Sequence, residues 1–118
     1  MNAKQVADTI LQQIKMTAGQ IAMMSWAFRT PQFGTDKESN NHFLIFSVSG
    51  FLHKGKVRVT LMGNDTYTVD LLKKDGTVKT SRSNVYCDEI GQIIDGLVEF
   101  DGDKAKYDKL VDNVKYNF

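Results

Sequence analysis

The stretch "KVRVTLMGNDTYTVDLL", Lys56 to Leu72, constrains the fold of this chain more than any other, because two strictly alternating halves flank a turn sequence. If Gly63 to Asp65 forms a three-residue turn, Val57, Val59 and Leu61 oppose Leu71, Val69 and Tyr67 on one face. The other face then pairs Arg58 with Asp70 and Thr60 with Thr68. Opposite charges and paired threonines are favourable cross-strand neighbours, and a slip of one residue would turn the whole apolar set outward. On an open outer face the Arg58–Asp70 pair would contribute only about 0.2–1 kcal/mol, acting on register more than on stability.

The flanking segments extend this hairpin into a sheet. "HFLIFSVSGFL", from His42 to Leu52, is rich in β-branched and aromatic residues, and a two-residue turn at Lys54-Gly55 would set Leu52 against Val57 and Val48 against Leu61. "KKDGTVKTSRS" supplies an Asp75-Gly76 turn and a polar strand with lysine and arginine, the composition of a protected edge. "IAMMSWAF", Ile21 to Phe28, lacks a helical period and predicts a strand that carries Ala22, Met24, Trp26 and Phe28 on one face, with Trp26 and Phe28 in the core. Thr30-Pro31 disfavours helix at Thr30, and the polar run that follows predicts a mobile loop from Thr30 to Asn41.

Helical spacing marks the two ends. "NAKQVADTILQQIKM" aligns Ala3, Val6, Ala7, Ile10, Leu11 and Ile14, predicting a helix over about 3–17 that stops at Ala18-Gly19. "NVYCDEIGQIIDGLVEF" aligns Tyr86, Ile90, Ile93, Ile94 and Leu97, predicting a helix over about 86–99 with Ser83 or Asn84 as N-cap and Asp88 and Glu89 in the first turn. "DKAKYDKLVDNVKYNF" aligns Tyr107, Leu110, Val111, Val114 and Phe118, predicting a third helix over about 103–115 that straps the C-terminus. The expected fold class is therefore α+β, one domain over 1–118. It is a two-layer sandwich of four or five antiparallel strands, with the N-terminal helix and two C-terminal helices on one face.

Composition narrows the function classes. At 118 residues, 42% apolar and 25% charged, the chain matches one ordinary globular domain. Its longest uncharged runs fall short of the ~18 residues of a membrane helix, and no basic-then-apolar leader opens it, so a cytoplasmic protein without a membrane partner is expected. One cysteine and two histidines exclude an intramolecular disulfide and leave no zinc-type spacing, so no metal and no cofactor are expected. Residues 1–60 carry seven Lys/Arg against three acids, and the remainder eight against eleven. Neither half carries the strong basic field of a general DNA binder.

Four segments together resemble a group of small bacteriophage and prophage proteins that have no assigned activity: "ILQQI", "AMMSWAF", "VRVTLMGNDTYTVDL" and "VYCDEIGQIIDGL". That group typically shows an "ILxQL" helix, an "AMTGAKxF" strand, a "VRITLxxxDxYxVEF" hairpin and a "VYCDxLxxIFE" helix. The likeness spans Ile10 to Leu97. "MSWAFR" stands where the group has the shorter "MTGAK", and the tail after Glu99 is additional. The resemblance brings no catalytic residue. It implies a phage-borne accessory protein acting in the cytoplasm of a host bacterium.

Candidate sites follow from local chemistry. "HKGKVR" is the densest basic cluster, expected at a freely projecting hairpin tip. As a solvated turn it needs no ligand. As an anion or nucleic-acid contact it would use His53, Lys54, Lys56 and the forked donor Arg58, with Phe51 beside Arg58 as a stacking surface. Arg29, Gln32 and Phe33, on the expected loop, have the composition of an interface anchor. Acids cluster between Asp88 and Asp112, Asp95, Glu99 and Asp101 among them; they read as a solvated helical face or as an acidic surface for the basic groove of a partner. Cys87 is expected half-buried in a first helical turn with neither histidine placed to activate it, and Asp88 with Glu89 reads as dipole compensation rather than an acid–base pair. The expected function is therefore non-enzymatic: binding a host or phage protein, in the form of an anti-CRISPR-like inhibitor of a defence component. Nucleic-acid or nucleotide binding on the outer sheet face is the alternative.

Overall fold

In the computed structural model, which describes residues 2–99, Asn2 and Gln5 cap each other reciprocally. The Asn2 side chain accepts from the Gln5 N–H at 2.9 Å, and the Gln5 side chain accepts from the Asn2 N–H at 3.0 Å. Helix α1 (Ala3–Ala18) follows and buries Val6, Ala7, Ile10 and Ile14, the stripe its spacing predicts. Gly19, at φ +86, ends it and opens a short second helix, α2 (Gln20–Ser25).

Five antiparallel strands come next, ordered in the sheet as in the chain: β1 (Arg29–Thr35), β2 (His42–Ser49), β3 (Lys54–Leu61), β4 (Tyr67–Leu72) and β5 (Val78–Val85). Helix α3 (Ile90–Val98) closes the described chain. The core lies between the helices and one face of the sheet, where Leu44, Phe46, Val57, Val59, Val69 and Leu71 meet Ile10, Ile14, Ile90 and Ile94. Polar ties fix the layers: the Tyr67 hydroxyl donates to Gln13 Oε1 at 2.6 Å, and the Gly91 N–H donates to Thr17 Oγ1 at 2.7 Å. Gly91 is required at that crossing, since a Cβ there would collide with the Ala18 backbone nitrogen and the Thr17 hydroxyl.

The central hairpin has the register its alternation predicts. Val57 pairs with Leu71, Arg58 with Asp70, Val59 with Val69, Thr60 with Thr68 and Leu61 with Tyr67. The Asp75-Gly76 turn forms, with Gly76 at φ +88, and β5 is a polar edge whose residues are exposed up to Val85.

Elsewhere the structure corrects the sequence reading. Ile21–Phe28 is no strand: α2 occupies Gln20–Ser25, and Met23 and Trp26 are the buried pair, a helical spacing of three, while Met24 points outward. Alanine, methionine and glutamine favour helix, and Ile21 is the only β-branched residue from Gln20 to Phe28. Thr30–Asn41 is a loop only from Asp36 onward. Its first half is β1, an edge strand that tolerates Pro31 through a bulge between Arg29 and Gln32 and a positive φ at Thr30.

The β2–β3 turn is Gly50–His53 rather than Lys54-Gly55, so Val57 meets Phe46 and Val48 meets Gly55. The shift is an even number of residues, which leaves every side chain on its expected face. Tertiary contact decides it: the Leu52 N–H donates to the Val98 carbonyl of α3. Helix α3 starts at Ile90, because β5 runs on through Ser83 and Asn84 to Val85 and neither residue caps the helix. Tyr86 and Cys87 are therefore exposed on the intervening turn. The third helix expected over 103–115 falls outside the described residues.

Candidate functional site

Two surfaces carry chemistry, on opposite sides of the sheet. On the helical side, α1 presents Leu11 and Lys15 one turn apart, α2 presents Gln20, Met23 and Met24, and the chain entering β1 adds Phe28 and Pro31. These residues line a cleft of about 740 Å³. A left-handed backbone at Ala27 (φ 52) turns the chain out of α2, and the Phe28 N–H returns to the Met23 carbonyl, bringing Phe28 against Phe46 with ring centroids 4.6 Å apart. Met24 is 71% exposed and Ile21, beside it on α2, 85% exposed. Lys15 is the one charged residue lining the cleft.

Strand alternation builds the outer face. One rung runs Gln32–Ile45–Arg58–Asp70–Ser81, the next toward one end is Gly34–Phe43–Thr60–Thr68, and the next toward the other joins Ser47, Lys56 and Leu72. Arg58 donates to Asp70 at 3.1 Å, the one salt bridge among the described residues. Asp70 is nearly buried, so the pair is not the exposed one its place on the outer face suggests.

The basic hairpin divides. Lys54 and Lys56 project on the outer face with Arg29 and Lys74 around a hollow of about 310 Å³. His53 does not project: it is 3% exposed, and its Nε2 lies 3.1 Å from the Lys56 carbonyl, so Nε2 carries the proton. Burial pushes its pKa down. Phe51 is exposed on the β2–β3 turn, whereas Arg58 sits mid-sheet between Ile45 and Asp70, and the two are not brought together.

The expected partner surface also divides. Arg29 and Gln32 lie on strand β1 rather than a loop, and the Arg29 guanidinium donates to the Ala27 carbonyl. Phe33 stands on the inner face opposite Leu44 yet is 55% exposed. Asp95 and Glu99 face inward. Asp95 accepts the indole N–H of the fully buried Trp26 at 2.8 Å. Glu99 is buried, and its pKa is raised chiefly by that burial, against a hydrogen bond from the Phe51 backbone. Asp101 lies outside the described residues.

The sequence reading missed the cleft and Lys74. A helical reading of "QIAMMSW" would have found the first by placing Met24 and Ile21 outside. Among the described residues no group of three or more His, Cys, Asp or Glu comes together to hold a metal ion, and no helix is long and apolar enough to cross a membrane. Comparison with family models, with curated proteins and with solved structures finds no match for this chain.

Proposed function

We propose that this protein is a non-enzymatic binding module whose cleft between α1, α2 and β1 receives an amphipathic helix of a partner protein, apolar on one side and acidic at its flank. The observation that carries the reading is the exposure of Met24 and Ile21 on the helix that walls the cleft. Exposed apolar surface rimmed by polar groups marks interaction sites, and methionine re-packs readily around varied side chains. Lys15 at the rim favours an acidic flank on the incoming helix. The cleft lacks the convergent polar groups that orient a small substrate, which supports binding rather than catalysis. Following the resemblance, the partner is a host protein in the bacterial cytoplasm, and inhibition of a defence component is the form to examine first.

The test is calorimetry on a partner isolated with the parent chain as bait and then purified. Expected are one-to-one binding with a negative heat-capacity change, at least tenfold weaker binding for Met24→Asp, and no change for Lys54→Ser/Lys56→Ser. Binding indifferent to Met24→Asp contradicts the assignment. So does a dimer of the chain alone, in sedimentation, that Met24→Asp disperses.

A further inference from the structure

We propose that the outer sheet face is a second, independent site, for single-stranded nucleic acid, with phosphates at its cationic end and a base stacked on Phe43. Four cations converge there from separate elements: Arg29 from β1, Lys54 and Lys56 from β3, and Lys74 from the β4–β5 turn. None of the four is ion-paired among the described residues, and no carboxylate lines the hollow they surround. Ser47 and Ser49 line the same hollow and add hydroxyl donors suited to phosphate oxygens.

The arrangement differs from scattered solubilising charge because the face is polarised. Ser47 and Lys56 also line a second hollow with Thr30, Gln32 and Ile45, continuing the track along the sheet. A third follows, of about 400 Å³, with Phe43, Asn41, Thr60 and Thr68 in its wall and the only carboxylates of the three, Asp36 and Asp70, the second of them paired with Arg58 in the same wall. Those acids disfavour phosphate at that end and, with Asn41 and the threonines, offer hydrogen-bonding groups to a base edge.

Phe43 is held for stacking by its neighbour. It pairs with Gly34, and a Cβ at Gly34 would lie 2.6 Å from Phe43 Cζ, so the ring rests across the glycine, flat on the sheet and half-buried. From the Lys56 rung to the Phe43 rung is four residues of β2, about 14 Å at the usual strand rise. A flexible single strand can bridge that span, whereas a rigid duplex cannot turn a base onto the ring.

The experiment titrates the full chain with a labelled single-stranded oligonucleotide, a duplex of the same sequence, and heparin, at several salt concentrations. Expected is preferential single-strand binding with a log–log salt slope of about −3 for four neutralised phosphates, falling to about −1.4 in Lys54→Ser/Lys56→Ser. Phe43→Leu should weaken the oligonucleotide on the order of tenfold at unchanged slope and leave heparin alone, with Phe43→Tyr restoring binding. The lysine variants are surface changes that keep the fold, and Met24→Asp should not alter the titration, which separates this site from the cleft. No single-strand binding at low salt overturns the proposal. Equal affinity for all three polyanions, unaffected by Phe43→Leu, overturns it as well by reducing the face to unspecific charge.

Discussion

The two faces of the sheet share strands and register, yet a single rung shows how differently they are treated. On the inner face Leu44, Val59 and Val69 are buried in sequence across three strands, while the ends of that rung, Phe33 and Arg82, are open. One position along, on the outer face, Ile45 and Arg58 are only half-covered. Burial therefore follows the footprint of α1 and α3, which spans the middle strands of one face. What lies outside that footprint, the cleft beside α2 and the outer face apart from the buried Asp70 and Leu72, stays at least partly open to solvent.

The largest effect expected from this comparison is at Val59. Val59→Asp places an unpaired charge in the fully buried inner layer and should abolish cooperative unfolding, whereas Lys56→Ala on the other face should stay within about 0.5 kcal/mol of the parent in urea denaturation. Comparable curves for the two variants would mean the faces are misassigned.

Trp26 comes next, as the place where α2 joins the core. Trp26→Ala should cost about 3–5 kcal/mol. Asp95→Ala, which strands the buried indole N–H, should cost about 1–3 kcal/mol, and Asp95→Asn less because an acceptor oxygen remains. Urea denaturation followed by far-ultraviolet circular dichroism reads all three, since Trp26→Ala removes the only tryptophan.

Sequence alone reached the inner face because alternation is a local property: Val57 to Leu71 sets its own register whatever packs on it. It failed where a neighbour decides. The β2–β3 turn is placed by Val98, the start of α3 by the continuation of β5 to Val85, and the edge strand β1 by pairing with β2 despite Pro31. Of the outer site, Lys54 and Lys56 were legible from the density of charge, while Lys74 and Phe43 join them only through sheet order. Of the cleft nothing was legible, because Ile21–Phe28 taken with a period of two puts Met24 inside.

The Arg58–Asp70 pair sharpens the comparison, since the outer face contains one nearly buried carboxylate. Arg58→Ala should cost about 1–3 kcal/mol, more than an exposed pair, by leaving Asp70 without its partner. A change below about 0.5 kcal/mol in urea denaturation would show that water replaces the guanidinium freely.

The smallest effect is a pH dependence at the β2–β3 turn. His53 has its folded pKa pushed below 6.5 by burial, so the native state binds fewer protons than the unfolded one between that lowered value and 6.5. Its contribution is intact above pH 6.5 and is lost as pH falls through the window. Glu99, raised above 4.5, acts in the opposite sense: its protonated form favours the fold, and stability falls as pH rises through its folded pKa. His53→Gln should remove the loss on acidification just below pH 6.5, read from melting temperatures across that range.

The cleft itself is tested most directly by the oxidation rates of adjacent methionines in the full chain, free and partner-bound. Met23 is 7% exposed and Met24 71% exposed, so dilute peroxide should oxidise Met24 much faster in the free chain, and the bound partner should slow Met24 toward the rate of Met23. Equal, slow rates in the isolated chain would show the cleft already filled by its own tail or a second copy, and a Met24 rate unmoved by the partner would place binding elsewhere; either result contradicts the account.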